Sequence, residues 1–72
     1  MYLPRLRDLR EDADKTQKDI ADMLNCQREV YRRYETGKNE LPLWALHRLA
    51  QYYQVSADYI LGLPDLPRGK TR

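Results

Sequence analysis

Residues 17–37 read QKDIADMLNCQREVYRRYETG, and the apolar positions in this stretch predict two short helices joined by a tight corner. In the first helix, Ile20, Ala21 and Leu24 recur at helical spacing, so one side of that helix is expected to be buried. Asn25 follows, and asparagine is among the few non-glycine residues that readily adopt a left-handed backbone. The chain can therefore turn sharply there before a second helix begins.

Two small residues suit the packing of this corner. Ala21 lies where the helices would cross most closely, and a larger side chain would push them apart. Cys26 is small and apolar enough to pack beneath the corner, so we expect Cys26 to be an ordinary core residue. The stretch is therefore predicted to form a helix-turn-helix.

The second helix is predicted to have one packed and one solvated side. At about 100° per residue, Val30, Tyr31 and Tyr34 fall together, opposite a charged arc. This arc contains Arg28, Glu29, Arg32 and Arg33. A charged arc is most often only the solvated face of an amphipathic helix. Arginines clustered on the second helix of a turn-linked pair, however, offer forked donors suited to phosphate and guanine, which favours nucleic-acid binding.

Together with LPLWALHRLAQYYQVSADYILGL at residues 41–63, this stretch resembles the Cro and repressor type of helix-turn-helix domain, also called the xenobiotic-response-element family. The resemblance extends from about Leu3 to Leu63. The landmarks in register are Gln17, Ala21, Glu35 and Gly37. The chain departs from the family at Asn25 and Gln27, where Gly and Ser or Thr are frequent, and both replacements are chemically tolerable.

The resemblance implies an all-α fold, a compact five-helix bundle of the phage-repressor DNA-binding type in which helices 2 and 3 form the helix-turn-helix. The domain is expected over residues 1–63, with residues 64–72 as a basic, mobile tail. The resemblance also implies a partly buried ion pair between Arg10 on the first helix and Glu35 at the end of the third.

The remaining helices are predicted from apolar spacing and capping residues. A first helix is expected over residues 4–13, with Ala13 in its core-facing stripe. Thr16 is expected to cap the second helix, and Ser56 the last one. A long helix is expected over residues 42–54. Its predicted apolar stripe is Leu43, Leu46, Leu49, Ala50 and Tyr53, which leaves Trp44 and Tyr52 off the core.

Composition narrows the classes of function. The chain has 72 residues, 42% of them apolar and 33% charged, as in a single ordinary globular domain. The absence of a long apolar run argues against a membrane span or a signal peptide, so a cytoplasmic protein is expected. One cysteine and one histidine cannot form a disulfide or a zinc site within the chain.

Enzymatic chemistry is not expected either. The sequence contains no glycine-rich phosphate loop and no nucleophile with a base at a recognisable spacing. We therefore predict no enzyme, no cofactor, no metal and no small-molecule ligand.

Charge is distributed unevenly along the chain. Residues 1–63 carry ten basic and ten acidic side chains, whereas the tail holds Arg68, Lys70 and Arg72 against Asp65. Because the domain is neutral, DNA binding must depend on local placement, and nonspecific DNA should bind less tightly than it would to a strongly basic domain.

The function predicted is sequence-specific binding of double-stranded DNA by a transcriptional regulator, with repression favoured over activation. Helix 3 would read the major groove, because residues near the amino end of such a helix reach base edges. The predicted base-reading residues are Gln27, Arg28, Glu29 and Arg33. Gln27 suits adenine, Arg28 suits guanine and Glu29 suits cytosine. Arg33 would reach a base one turn further along the helix. The predicted phosphate-binding residues are Gln17, Arg32, Lys38 and Asn39.

A small domain reads few base pairs, so a homodimer on an inverted-repeat operator is expected, joined through Leu61, Leu63 and Trp44. One alternative is an antitoxin-like or adaptor module that holds a partner protein on the same fold. A bare structural bundle is a weaker alternative, since it would not explain the clustered arginines. Stacking of the tyrosines on single-stranded bases is also disfavoured, because their helical spacing places most of them in the core.

Overall fold

Residues 2–62, the part of the chain that this computed structural model describes, form five α-helices and no β-strand. The helices are α1 (Pro4–Asp12), α2 (Gln17–Met23), α3 (Arg28–Thr36), α4 (Leu43–Tyr53) and α5 (Ala57–Leu61). This architecture confirms the predicted all-α fold with five helices. Leu63 and the tail predicted over residues 64–72 lie outside the described residues.

The helices pack in a way that leaves one side of α3 free. α2 and α3 pack closely on each other, α1 contacts both α3 and α5, and α4 packs on α5. The core that they share consists of Leu3, Leu6, Ile20, Ala21, Leu24, Tyr31, Ala45, Leu46, Leu49 and Ile60. α3 is therefore anchored to this core by α1 and α2 while its outer side faces solvent.

α2 begins with a reciprocal pair of hydrogen bonds. The hydroxyl of Thr16 accepts from the amide of Asp19 at 3.1 Å, and the Asp19 carboxylate accepts from the amide of Thr16 at 2.9 Å. These bonds satisfy amides that would otherwise be orphaned at a helix start, and they lower the pKa of Asp19. The predicted cap at Thr16 is confirmed, and it fixes the position of Gln17 directly after it.

The corner between α2 and α3 has the predicted backbone. Asn25 adopts a left-handed conformation with φ of 59°, and the amide of Cys26 donates to the carbonyl of Ala21 at 2.9 Å. Cys26 is half-buried against the core, and Ala21 is fully buried. The chain therefore reverses within a few residues, and α3 returns against α2.

Other helix ends were only partly predicted. Gly37 and Gly62 end α3 and α5 with φ of 84° and 77°, as expected of glycine after a helix. Ser56 caps α5 by accepting from the amide of Tyr59 at 3.0 Å. Gln54 also adopts a left-handed conformation, with φ of 57°, and ends α4. This was not predicted, because glutamine carries no local preference for that region.

Two core assignments from the sequence were wrong. Leu43 is 81% exposed, because the buried arc of α4 is centred between Leu46 and Leu49 and also includes Ala45. At about 100° per residue, Leu43 lies about 120° from Leu49 around the helix. Ala13 is exposed because α1 ends at the preceding residue.

The helices are short relative to a lipid bilayer. Across the described chain, no helix is long and apolar enough to cross a membrane.

Candidate nucleic-acid interface

α3 separates its side chains into an inner and an outer face. Tyr31 and Glu35 are buried on the inner face, with Val30 and Tyr34 half-buried beside them. The exposed side chains of α3 are Arg28, Glu29, Arg32, Arg33 and Thr36. The charged arc predicted from the sequence thus lies on the solvent-facing side of the helix-turn-helix.

Glu29 holds two of the arginines on this face. Arg32 donates two hydrogen bonds to its carboxylate, from Nε to Oε1 at 3.0 Å and from Nη2 to Oε2 at 2.6 Å. Arg33 adds an ion pair, with its Nε 3.3 Å from Oε2. The hydrogen bonds from Arg32, with the positive charges nearby, lower the pKa of Glu29 to about 2. The carboxylate is therefore ionised throughout the physiological pH range.

These pairs were not predicted, although their signal is present in the sequence. Arg32 and Arg33 lie three and four positions after Glu29, and side chains at those spacings are neighbours on a helix surface. The role predicted for each of the three residues is a contact with DNA, not with one another.

The amino end of α3 presents two side chains that the pairs around Glu29 do not involve. Gln27 occupies the N-cap position, but its side chain makes no capping hydrogen bond and remains exposed. Arg28 opens the helix and is also exposed. Among residues 2–62, no hydrogen bond or ion pair joins Arg28 to another side chain. Both side chains can therefore turn toward a ligand without first breaking such a contact.

The loop after α3 adds polar side chains at its other end. Lys38 and Asn39 are both exposed directly after the left-handed turn at Gly37. The amide of Asn39 donates to the carbonyl of Arg33 at 3.1 Å, which ties this loop to the last turn of α3. The backbone of the loop at Asn39 is therefore held against the last turn of α3.

Gln17 is not an exposed residue without a partner at the start of α2. It is half-buried, and its Nε2 donates to Oε1 of Glu35 at 3.1 Å. An amide nitrogen carries two hydrogens, so one remains for a phosphate oxygen. Gln17 thus links the start of α2 to the end of α3.

The structure contains the ion pair that the family resemblance implied. Arg10 Nε and Nη2 donate to the two carboxylate oxygens of Glu35 at 2.9 and 3.1 Å. Burial alone would raise the pKa of Glu35, but the hydrogen bonds from Arg10 and Gln17 outweigh it and hold the pKa below 4.5. The hydroxyl of Tyr31 is buried nearby, and burial together with the charge of Glu35 raises its pKa.

A second exposed surface, distinct from the outer face of α3, lies on α4. Trp44 is 50% exposed and Tyr52 is 42% exposed, as their positions off the apolar stripe predicted. The guanidinium carbon of Arg48 lies 5.7 Å from the centroid of the Trp44 ring. Close by, a shallow apolar groove is lined by Leu3, Leu41, Leu43, Leu46 and Leu61, with Glu40 at its edge.

No grouping of three or more His, Cys, Asp or Glu side chains that could hold a metal ion occurs within residues 2–62. Burial raises the pKa of the Cys26 thiol, which favours its protonated form. The thiol is therefore a weaker nucleophile and metal ligand than an exposed cysteine would be.

Comparison with known proteins agrees with this geometry. A family model described as a helix-turn-helix domain matches residues 4–60, which include all five helices except the last residue of α5. No solved structure shows a significant match to the chain.

Relatives among curated proteins share most of the chain. The uncharacterized HTH-type transcriptional regulator YobD of Bacillus subtilis (strain 168) is 41% identical over 70 residues, covering 97% of this chain and 62% of that protein. The HTH-type transcriptional regulator ImmR of the same organism is 33% identical over 64 residues, covering 89% of this chain and 50% of that protein. The chain thus spans between half and about three fifths of the length of these relatives. By the family match and these identities, the chain belongs to the helix-turn-helix domain family.

Proposed function

We propose that this protein is a cytoplasmic transcriptional regulator that binds double-stranded DNA sequence-specifically, with α3 in the major groove, and that it acts as a repressor. The observation that carries the proposal is the amino end of α3, where Gln27 and Arg28 are exposed and not engaged by other side chains. Membership of the helix-turn-helix family and the description of YobD and ImmR as transcriptional regulators support it.

Base reading is assigned first to the start of α3. Arg28 can donate two parallel hydrogen bonds to a guanine, and Gln27 can pair similarly with adenine. Arg33, one turn further along, could reach an additional base. Glu29 is less suited to a contact with cytosine, because its carboxylate already pairs with Arg32 and Arg33. Arg28 is therefore the strongest candidate for specific readout.

Phosphate binding is assigned to residues that flank the reading helix. Lys38 and Asn39 are exposed in the loop after α3, and Gln17 retains one amide hydrogen at the start of α2. Arg32 lies further along α3 and would contact a phosphate after release from Glu29. Contacts of this kind hold the protein in register on the duplex without carrying sequence information.

A homodimer on an inverted repeat would supply the affinity that one small domain lacks. We propose that Leu61, Leu63 and Trp44 contribute to the contact. The exposed ring of Trp44 and the apolar groove that includes Leu61 support this, whereas Leu63 lies outside the described residues. Half-site centres are then expected roughly 10 bp apart. Sedimentation with duplexes carrying one or two half-sites would distinguish two bound copies from one.

The test of the function is selection of binding sites from random duplexes by the purified protein. A variant with Arg28→Ala and Arg33→Ala should lose binding to the selected duplex while its helical circular dichroism is unchanged. Full retention of duplex binding by that variant would show that the arginine face is dispensable. It would favour the alternative of an antitoxin-like or adaptor module that holds a partner protein.

A further inference from the structure

The three arginines on the outer face of α3 are not equivalent. Arg32 and Arg33 share the carboxylate of Glu29, whereas Arg28 is not paired with another side chain of residues 2–62. Within residues 2–62, the outer face of α3 therefore carries one arginine without a side-chain partner, Arg28, and one charge-compensated cluster of Glu29, Arg32 and Arg33.

The cluster is accessible to a competing anion. The side chains of Arg32 and Arg33 are each 44% exposed, and that of Glu29 is 47% exposed. The Arg10 and Glu35 side chains are only 13% and 5% exposed, so that pair is much less accessible to an anion. A DNA phosphate can approach the remaining N–H donors of Arg32 and Arg33, but the Glu29 carboxylate already occupies the Nε of each and compensates part of their positive charge.

From this arrangement we infer that Glu29 competes with DNA phosphates for Arg32 and Arg33 and so weakens the binding of nonspecific duplex. The inference rests on the proposed function, DNA binding through α3. Nonspecific binding comes almost wholly from phosphate contacts, whereas base contacts at Arg28 occur only on the preferred site. A restraint on Arg32 and Arg33 therefore acts directly on the kind of contact that holds a nonspecific duplex.

The test is Glu29→Gln, which keeps the shape of the side chain and removes its charge. Each freed arginine should then neutralise a phosphate, so the dependence of log affinity on log salt should steepen by about 1 to 2 units on nonspecific duplex. Near 0.1 M salt, each additional phosphate neutralised corresponds to about a tenfold rise in nonspecific affinity.

Glu11→Gln is the matched control. Its carboxylate pairs with Arg7 Nε at 2.9 Å over an i,i+4 spacing, and both variants add one unit of net charge. Because Glu11 lies on α1, outside the helix-turn-helix, it should change the salt slope little. Equal steepening by both variants would reduce the effect of Glu29 to net charge and overturn the inference.

A second comparison identifies the groups released. Adding Arg32→Gln and Arg33→Gln to Glu29→Gln should abolish the rise in nonspecific affinity, and persistence of that rise would overturn the inference. An unchanged salt slope for Glu29→Gln would overturn the inference, and so would a change confined to base preference at one position. Either result would leave the proposed DNA binding unaffected. If the wild-type protein binds no duplex even at low salt, the proposed function fails together with the inference.

Discussion

Arg10 and Glu35, which lie 25 positions apart in the chain, form a two-point ion pair that joins α1 to the last turn of α3. The carboxylate also accepts from Gln17 at the start of α2, so three helices meet at one buried charge. Arg10 extends the contact by donating from Nη1 to the carbonyl of Lys15 at 3.0 Å. The orientation of α3 therefore depends on a polar cluster as well as on the apolar core.

Removal of one partner of this pair should be strongly destabilising. Arg10→Met leaves the Glu35 carboxylate buried without its main counter-charge, which typically costs about 3 to 5 kcal/mol. Urea unfolding followed by circular dichroism measures the loss. Arg7→Met, which breaks an exposed pair with Glu11, should leave the midpoint near that of the wild type. Similar midpoints for the two variants would contradict a structural role for the buried pair.

Stability should fall in acid because of the same carboxylate. The pKa of Glu35 is lower in the folded protein than its ordinary value of 4.5, so the unfolded chain binds more protons below that pH. Its stabilising contribution is therefore fully present above pH 4.5 and is lost as the pH falls through the lower, folded pKa. Urea midpoints measured from neutral pH to pH 3 should show a shallower decline in Glu35→Gln than in the wild type. Parallel curves would mean that Glu35 does not contribute.

The crossing of α2 and α3 should tolerate no larger side chain at Ala21. This residue is fully buried, so Ala21→Leu should overpack the interface and destabilise the fold by about 1 to 3 kcal/mol. Ala13→Leu places the same side chain at an exposed position and should change stability by no more than about 0.5 kcal/mol. Thermal melting of both variants provides the comparison, and equal melting temperatures would show that the helices have room at Ala21.

Arg28 should carry sequence information. Arg28→Ala is expected to cost about 1 to 3 kcal/mol on the selected duplex and to relax the choice of base at one position. Binding to a scrambled duplex should change little, because base contacts are absent there. Fluorescence anisotropy with both duplexes measures the two affinities. Equal weakening on both would identify Arg28 as a phosphate contact.

Lys38 should behave in the opposite way. As an exposed residue of the loop after α3, it is assigned to the DNA backbone. Lys38→Ala should weaken selected and scrambled duplexes alike and lower the salt slope by about one unit. A salt titration of both duplexes provides the measurement. A loss confined to the selected sequence would instead make Lys38 a base reader.

Local chemistry in the sequence was sufficient to predict where several helices begin and turn. The caps at Thr16 and Ser56 and the left-handed turn at Asn25 were predicted and are present. Each depends on groups within about three positions of one another, so no distant contact is needed to specify it. The charged arc of α3 likewise follows from helical periodicity alone.

Tertiary structure decided which side chains are buried and which polar groups meet. The exposure of Leu43 depends on how α4 is rotated against α5 and the core, and an apolar residue near the edge of a stripe does not determine that rotation. Gln17 meets Glu35 because α2 and α3 cross at a particular angle. Sequence periodicity specifies the face of a single helix, but the angle and rotation between helices are set by the packing of side chains that are distant in the chain.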